Sequence, residues 1–294
     1  MTIIKYPQIF YKEDSLAARS KKRSARAVVI IGLLAVLHEM FALISGFAGS
    51  ENLYILTRVL IAVTTAVLGK EIFNSTQKKY ADSWYDSRAA AESIKTVYFR
   101  YLTCADPFRT EIPRDEAEEA LLTRLETVLL GLGKSVVQKD QLIERSVLDW
   151  AWSRRTEPLS ARMEFYLSER IEDQLNWYSS KSSILTKLAE RIKIVSIAST
   201  MVSLFFAIVS IFLQGVSGIG GFFLIFAVLI FGFGEVQGYK NAHSYKVTHA
   251  EILEAKIEIQ AIKDDQRWSE YVDDIEEAFS REHVTWRASK SRSL

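Results

Sequence analysis

The sequence predicts an all-α membrane protein with four transmembrane helices as two hairpins, and long helices extending into a cytoplasmic helical bundle. Three observations carry this. Ile194 to Gly234 is 41 residues without a charged side chain, enough for two helices that each match the roughly 30 Å hydrocarbon core of a bilayer. Two further apolar runs, 27–46 and 53–70, precede it. Elsewhere apolar residues recur every three or four positions and no alternating strand pattern persists.

In chain order, Met1 to Arg26 is polar and closes on Arg19, Lys21, Lys22, Arg23 and Arg26. In the run 27–46, eleven Val, Ile, Leu or Phe residues at roughly −0.3 to −0.6 kcal/mol each outweigh Glu39, which costs about 3 kcal/mol. The run 53–70 carries Arg58 and is nearer balance, so it relies on its neighbour. Glu39 and Arg58 lie roughly 10 and 8 Å from the shared turn. They are expected to pair, as a structural ion pair or as part of a pore or gate. The second hairpin has spans at 194–213 and 216–234. Its GIGG (Gly218 to Gly221) reads as a turn, because no strand precedes it to make a phosphate loop. Basic residues flank the outer ends of both hairpins, among them Lys70, Lys187, Arg191, Lys193, Lys240 and Lys246, and the tips carry none. The positive-inside rule then puts both termini and the central region of this multi-pass membrane protein in the cytoplasm.

In the central region Tyr80, Trp84, Ala91, Ile94, Tyr98 and Tyr101 mark one buried helix face, which Pro107 and Pro113 end. An acid-rich first turn (Asp115, Glu116, Glu118, Glu119) opens the next helix, where the dipole favours negative charge, and Gly131 and Gly133 close it. A shorter segment lies around Leu142 to Trp152. From Ser160 an unbroken rod with a cytoplasmic part of about 50 Å enters the third span. After the fourth span Ala250, Leu253, Ile257, Trp268, Tyr271, Ile275 and Phe279 stripe one long helix, and the basic tail from Arg281 is expected to be unordered. The layout reads as a duplication: a first module 1–102, a connector 103–159, a second module 160–280 and a tail 281–294.

The segments WYDSRAAAESIKTVYFRYL (Trp84 to Leu102) and YLSERIEDQLNWYSSKSS (Tyr166 to Ser183), the second before an apolar hairpin, resemble the SLATT family of two-transmembrane effector domains from bacterial nucleotide-signalling conflict systems. The resemblance covers nearly the whole chain as two modules in tandem. It implies a membrane effector that forms pores or disrupts the inner membrane during antiviral defence, encoded beside a nucleotide-synthesising or nucleotide-sensing partner. Trp84, Arg88 and Glu92 are the cytoplasmic motif residues it singles out. As residues alone they read as internal packing with an i,i+4 pair or as a ligand pocket. No Gly-rich α/β sensor or nucleotidyltransferase motif occurs, which departs from the best-known arrangement.

Little points to catalysis. The four histidines lack metal-ligand spacing, no nucleophile-elbow or Walker motif occurs, and nothing calls for a cofactor. A net charge of +1 gives no reason to expect nucleic acid as a partner. The single Cys104 fits a reducing compartment. What remains is a polar stripe in the third span: Ser196, Ser203 and Ser210, with Thr200 and Gln214 on the adjoining row, and Thr57 and Thr64 repeating the spacing in the second span. Such a face lines a water-filled path or lets helices pack closely. Since four spans enclose no sizeable channel, a homo-oligomer in the lipid bilayer is expected. A membrane-anchored scaffold without pore activity is the alternative.

Overall fold

The computed structural model describes residues 4–77, 80–134, 142–213, 217–234 and 240–291. Among these lie ten α-helices, one π turn and no strand. In order they are α1 (Gln8–Gly46), α2 (Glu51–Gln77), α3 (Tyr80–Thr103), α4 (Arg114–Gly131), α5 (Arg145–Arg155), α6 (Leu159–Tyr166), the π turn (Leu167–Ile171), α7 (Glu172–Val209), α8 (Ser217–Gly234), α9 (Lys240–Ile259) and α10 (Asp265–Ser291). The chain divides into two compact units. Unit 1 is Met1–Arg23, Lys79–Gln174 and Glu251–Leu294; unit 2 is Ser24–Lys78 and Leu175–Ala250. Each expected module therefore contributes to both units.

Unit 1 is built around α3, which packs against α4, α5, α6 and α10. Its Ala91, Ile94, Tyr98 and Tyr101 are buried as the pattern predicts, with Leu121, Leu125, Trp268 and Val272 closing the core. Helix ends leave carbonyls without intrahelical partners, and at the C-terminus of α3 three side chains supply the donors. Arg155 Nη1 donates to Tyr101 O (2.7 Å) and Phe108 O (3.0 Å), Arg162 Nη1 to Thr103 O (3.0 Å), and Trp268 Nε1 to Thr103 O (2.7 Å). Burial lowers the Arg155 pKa, and the Cys104 and Tyr101 side chains act against that. Arg155 also lies over the Tyr101 ring, 4.6 Å from its centroid. These contacts hold the α3 terminus where the dipole is negative.

Unit 2 is inverted relative to a water-soluble core. Small and hydroxylated residues are inside (Ser45, Thr57, Thr64, Ser196, Ser203, Ala227), while Leu33, Val63, Met201, Leu204, Phe205 and Val228 point out. Large apolar surface is exposed at low cost only to an apolar medium, and in membranes small residues bring helices together. Three helices are long and apolar enough to cross a bilayer: α1, α2 and the run ending with α7. None of the apolar stretch is buried in the first, 11% in the second and 17% in the third. The fourth apolar helix, α8, is shorter, with its apolar stretch at Ile219–Val228.

Several expectations change. The long C-terminal helix is two helices, because Asp264 accepts a hydrogen bond from the Arg267 N–H (2.8 Å) and starts α10 as an N-cap. Leu253 and Ile257, placed on its buried stripe, are exposed. The tail expected to be unordered from Arg281 continues α10 to Ser291. Gly218 to Gly221 belong to α8 instead of a turn. There Gly220 serves close approach, since a Cβ on it would lie 3.1 Å from the Ser203 carbonyl oxygen. Gln214 falls outside the described residues.

Candidate functional site: a buried charge chain and the polar faces of the apolar helices

The two motif segments singled out in the sequence meet inside unit 1. The π turn places Arg170 between the rings of Phe99 and Phe279, 5.3 and 5.0 Å from their centroids. Its Nε donates to Glu276 Oε1 (2.8 Å) and its Nη2 to Glu276 Oε2 (2.7 Å), a bidentate pair with side chains 1% and 0% exposed. Tyr166 OH donates to the same carboxylate (3.0 Å). Arg170 Nη1 faces Glu92 at 3.8 Å and makes no hydrogen bond. Glu92 in turn binds Arg88 (2.5 Å), and Arg88 reaches Asp14 (3.5 Å). Five alternating charges thus link α1, α3, the π turn and α10 within unit 1.

Taking these groups from water costs several kcal/mol per ion, which pairing recovers only with good geometry. The geometry is good at Glu276 and poorer at Glu92. Burial opposes the charge of Arg170, but Glu276, Glu92 and Tyr166 around it together outweigh burial and raise its pKa above the ordinary arginine value. Burial and the Glu276 carboxylate raise the Tyr166 hydroxyl well above its usual range. A π turn inside a helix is frequent at functional sites, and here it carries the residue on which the chain of charges turns.

Of the predicted motif residues, Arg88 and Glu92 belong to this chain and Trp84 does not. Trp84 is half-buried, its ring 4.4 Å from that of Tyr85 and under Lys21 Nζ at 5.6 Å. Asp14, Arg170 and Glu276 are additions. Glu276 had a readable signal: it falls on the apolar row Trp268, Val272, Glu276, Phe279, where an unpartnered carboxylate is costly.

In unit 2 the serine face of α7 is covered by α8. Ser196 Oγ donates to Ala227 O (2.6 Å), and Ser203 lies against Gly220. The pairs 196/227, 203/220 and the ring contact Tyr178/Tyr245 (5.7 Å) follow one antiparallel register, because each pair of numbers has the same sum. Thr200 is exposed and its hydroxyl donates to Ser196 O of its own helix, while Ser210, in the turn just past the end of α7 at Val209, is half-buried and donates to Ala207 O. Thr57 and Thr64 are buried and bond to the preceding turn of α2.

The Glu39–Arg58 pair does not form. Both side chains are exposed, and Arg58 lies over the Tyr54 ring at 5.0 Å. Register is the reason. His38 Nδ1 and Thr65 Oγ1 meet at 3.2 Å. Glu39 follows His38 by one residue and Arg58 precedes Thr65 by seven, so Arg58 sits about 9 Å nearer the hairpin tip. Helical side chains also lean toward their own N-terminus, which turns the two apart.

Residues 7–163 match the family description "SMODS and SLOG-associating 2TM effector domain 3", and residues 166–286 match "SMODS and SLOG-associating 2TM effector domain 1". The chain belongs to the SLATT family. It carries two SLATT domains in tandem, and ion contacts inside unit 1, among them Arg100–Asp273 (2.8 Å), Lys95–Asp173 (2.9 Å) and Arg170–Glu92 (3.8 Å), join one domain to the other. As a pair of SLATT domains with membrane-length apolar helices, the protein is a membrane effector. No curated protein and no solved structure matches the chain.

Proposed function

We propose that this tandem SLATT protein is an inner-membrane effector of a bacterial conflict system that oligomerises and permeabilises the membrane when its cytoplasmic helices are rearranged. Large apolar side chains turned outward on α1, α2 and α7 carry this reading, because they call for lipid or further copies around them. In it α8 is the fourth span, both hairpin tips face outward, and both termini are cytoplasmic. The work is mechanical, not catalytic. Support comes from α1 and α7, each of which begins in unit 1 and continues without a helical break into unit 2. Disturbing the Arg170 charge chain therefore bears on the roots of two spans. The trigger is a nucleotide-synthesising or nucleotide-sensing partner, a reading the family's association with SMODS and SLOG domains supports.

A second reading, a membrane-anchored scaffold, is favoured by one observation: α8 covers Ser196 and Ser203, which closes that part of the serine face within one chain. Dye release from vesicles and depolarisation of expressing cells separate the two. The effector reading expects release from vesicles holding the triggered protein. It is lost if vesicles stay tight and cells stay polarised under every trigger while unit 1 still recruits partners.

A further inference from the structure

We infer that α1 is a self-association surface, on which α1 of a second copy of this chain packs in parallel along Val28, Gly32, Ala35, Glu39, Ala42 and Gly46. The inference rests on the membrane reading above and adds which face meets which. Successive members of this row are four, three, four, three and four residues apart, the 3.5-residue period that keeps a straight seam between two helices. All but the half-buried Ala35 are exposed in the chain. A Cβ at Gly32 or Gly46 would meet nothing within 4 Å, so the seam is open.

A rival row exists on the same helix. Ile30, Leu33, Leu37, Met40 and Ile44 have the same spacing and are also exposed. Lipid tails solvate those side chains as well as a protein would, so no hydrophobic force drives them together. The first row differs in holding Glu39. A carboxyl group turned toward acyl chains is costly, and ionisable residues in spans face protein or a water-filled cavity almost without exception. Within the chain no ion pair joins Glu39 to any described residue, and Arg58 is turned toward the tip.

Copies inserted in one membrane share their orientation. Where their first helices meet they do so in parallel, and every Glu39 then lies at one depth, facing the symmetry axis instead of lipid. Ala35 and Ala42, one turn to either side, let the backbones approach closely enough for the carboxyl groups to be shielded. The chain already closes one seam of this kind: Ser196, Ser203, Gly220 and Ala227 between α7 and α8.

Single cysteines in a Cys104→Ser background test this directly in native membranes. Gly32→Cys, Ala35→Cys and Ala42→Cys sample the seam, and Leu33→Cys, Leu37→Cys and Met40→Cys sample the rival row. A disulfide needs Cα atoms within about 7 Å. After mild oxidation the first three give a covalent dimer on non-reducing gels and the last three do not, and Glu39→Leu added to Ala35→Cys reduces the dimer band. Dimer from the rival row, from all six alike, or from none overturns the inference. Dye release reports the pore reading separately. Seam dimers with tight vesicles keep this interface and remove the pore, while leaking vesicles with dimers only from the rival row do the reverse.

Discussion

Removing the carboxylate of Glu276 is the sharpest perturbation of unit 1. The side chain is fully buried, accepts both Arg170 hydrogen bonds at 2.7 and 2.8 Å and also that of Tyr166. Glu276→Leu leaves the Arg170 charge buried between Phe99 and Phe279, with Glu92 at 3.8 Å as its one acidic neighbour among the described residues and a long hydrogen bond to Thr96 Oγ1 (3.4 Å). Breaking one side of a buried pair costs about 3–5 kcal/mol, whereas replacing both members by apolar groups of similar size is often neutral. Each kcal/mol moves the midpoint of a domain of this size by roughly 2–4 °C. A drop of about 6–20 °C in Tm is therefore expected for Glu276→Leu in detergent-solubilised protein, with most of it recovered in Arg170→Met/Glu276→Leu. The assay is near-ultraviolet circular dichroism, which follows aromatic packing around Phe99, Tyr166 and Trp268. If the single variant melts within about 2 °C of the wild type, or the double variant is as damaged as the single, the charge chain does not hold unit 1 together and its place in the trigger falls with it.

Three further outcomes follow from the same geometry. In Gly220→Leu the new side chain starts 3.1 Å from the Ser203 carbonyl and pushes α8 from α7, so a disulfide engineered at the 196/227 pair stops forming. Thr200→Ala, at an exposed residue whose hydroxyl donates only one turn back to Ser196 O, leaves that disulfide intact. Burial raises the hydroxyl pKa of Tyr98 and Tyr6, and that of Tyr101 to about 12. Their raised values in the folded state add stability below pH 10 that fades as pH climbs through them, so the phenolate absorbance of these residues rises together with unfolding. Cys104 is buried, its thiol donates to Arg155 O at 3.5 Å, and burial raises its pKa. It stays unlabelled by maleimide at neutral pH until denaturant is added.

The apolar helices were legible because lipid imposes a simple demand, which 41 uncharged residues meet in plain view. Helix ends set by proline or glycine were legible too, as at Pro113 and Gly131, which bound α4. The break before α10 was not, since Asp264 reads as one more surface acid until its cap is seen. Periodicity also hides register. The distance of Glu39 and Arg58 from a shared turn suggested a pair, and the His38–Thr65 bond shows the helices offset by nearly two turns. The charge chain lay between. Arg88, Glu92 and Arg170 all stand in the family-like segments, yet their meeting depends on a π turn and on Glu276 more than a hundred residues later.

The central claim is that the outward faces of α1, α2 and α7 are bathed in acyl chains. Spin labels at Leu33, Val63 and Phe205, with Arg109 in unit 1 as the aqueous reference, test it in reconstituted vesicles by comparing relaxation from molecular oxygen with that from a water-soluble nickel chelate. Oxygen should dominate at the first three sites and the chelate at Arg109. Chelate access at Leu33, Val63 and Phe205 equal to that at Arg109 would put those faces in water and contradict the account.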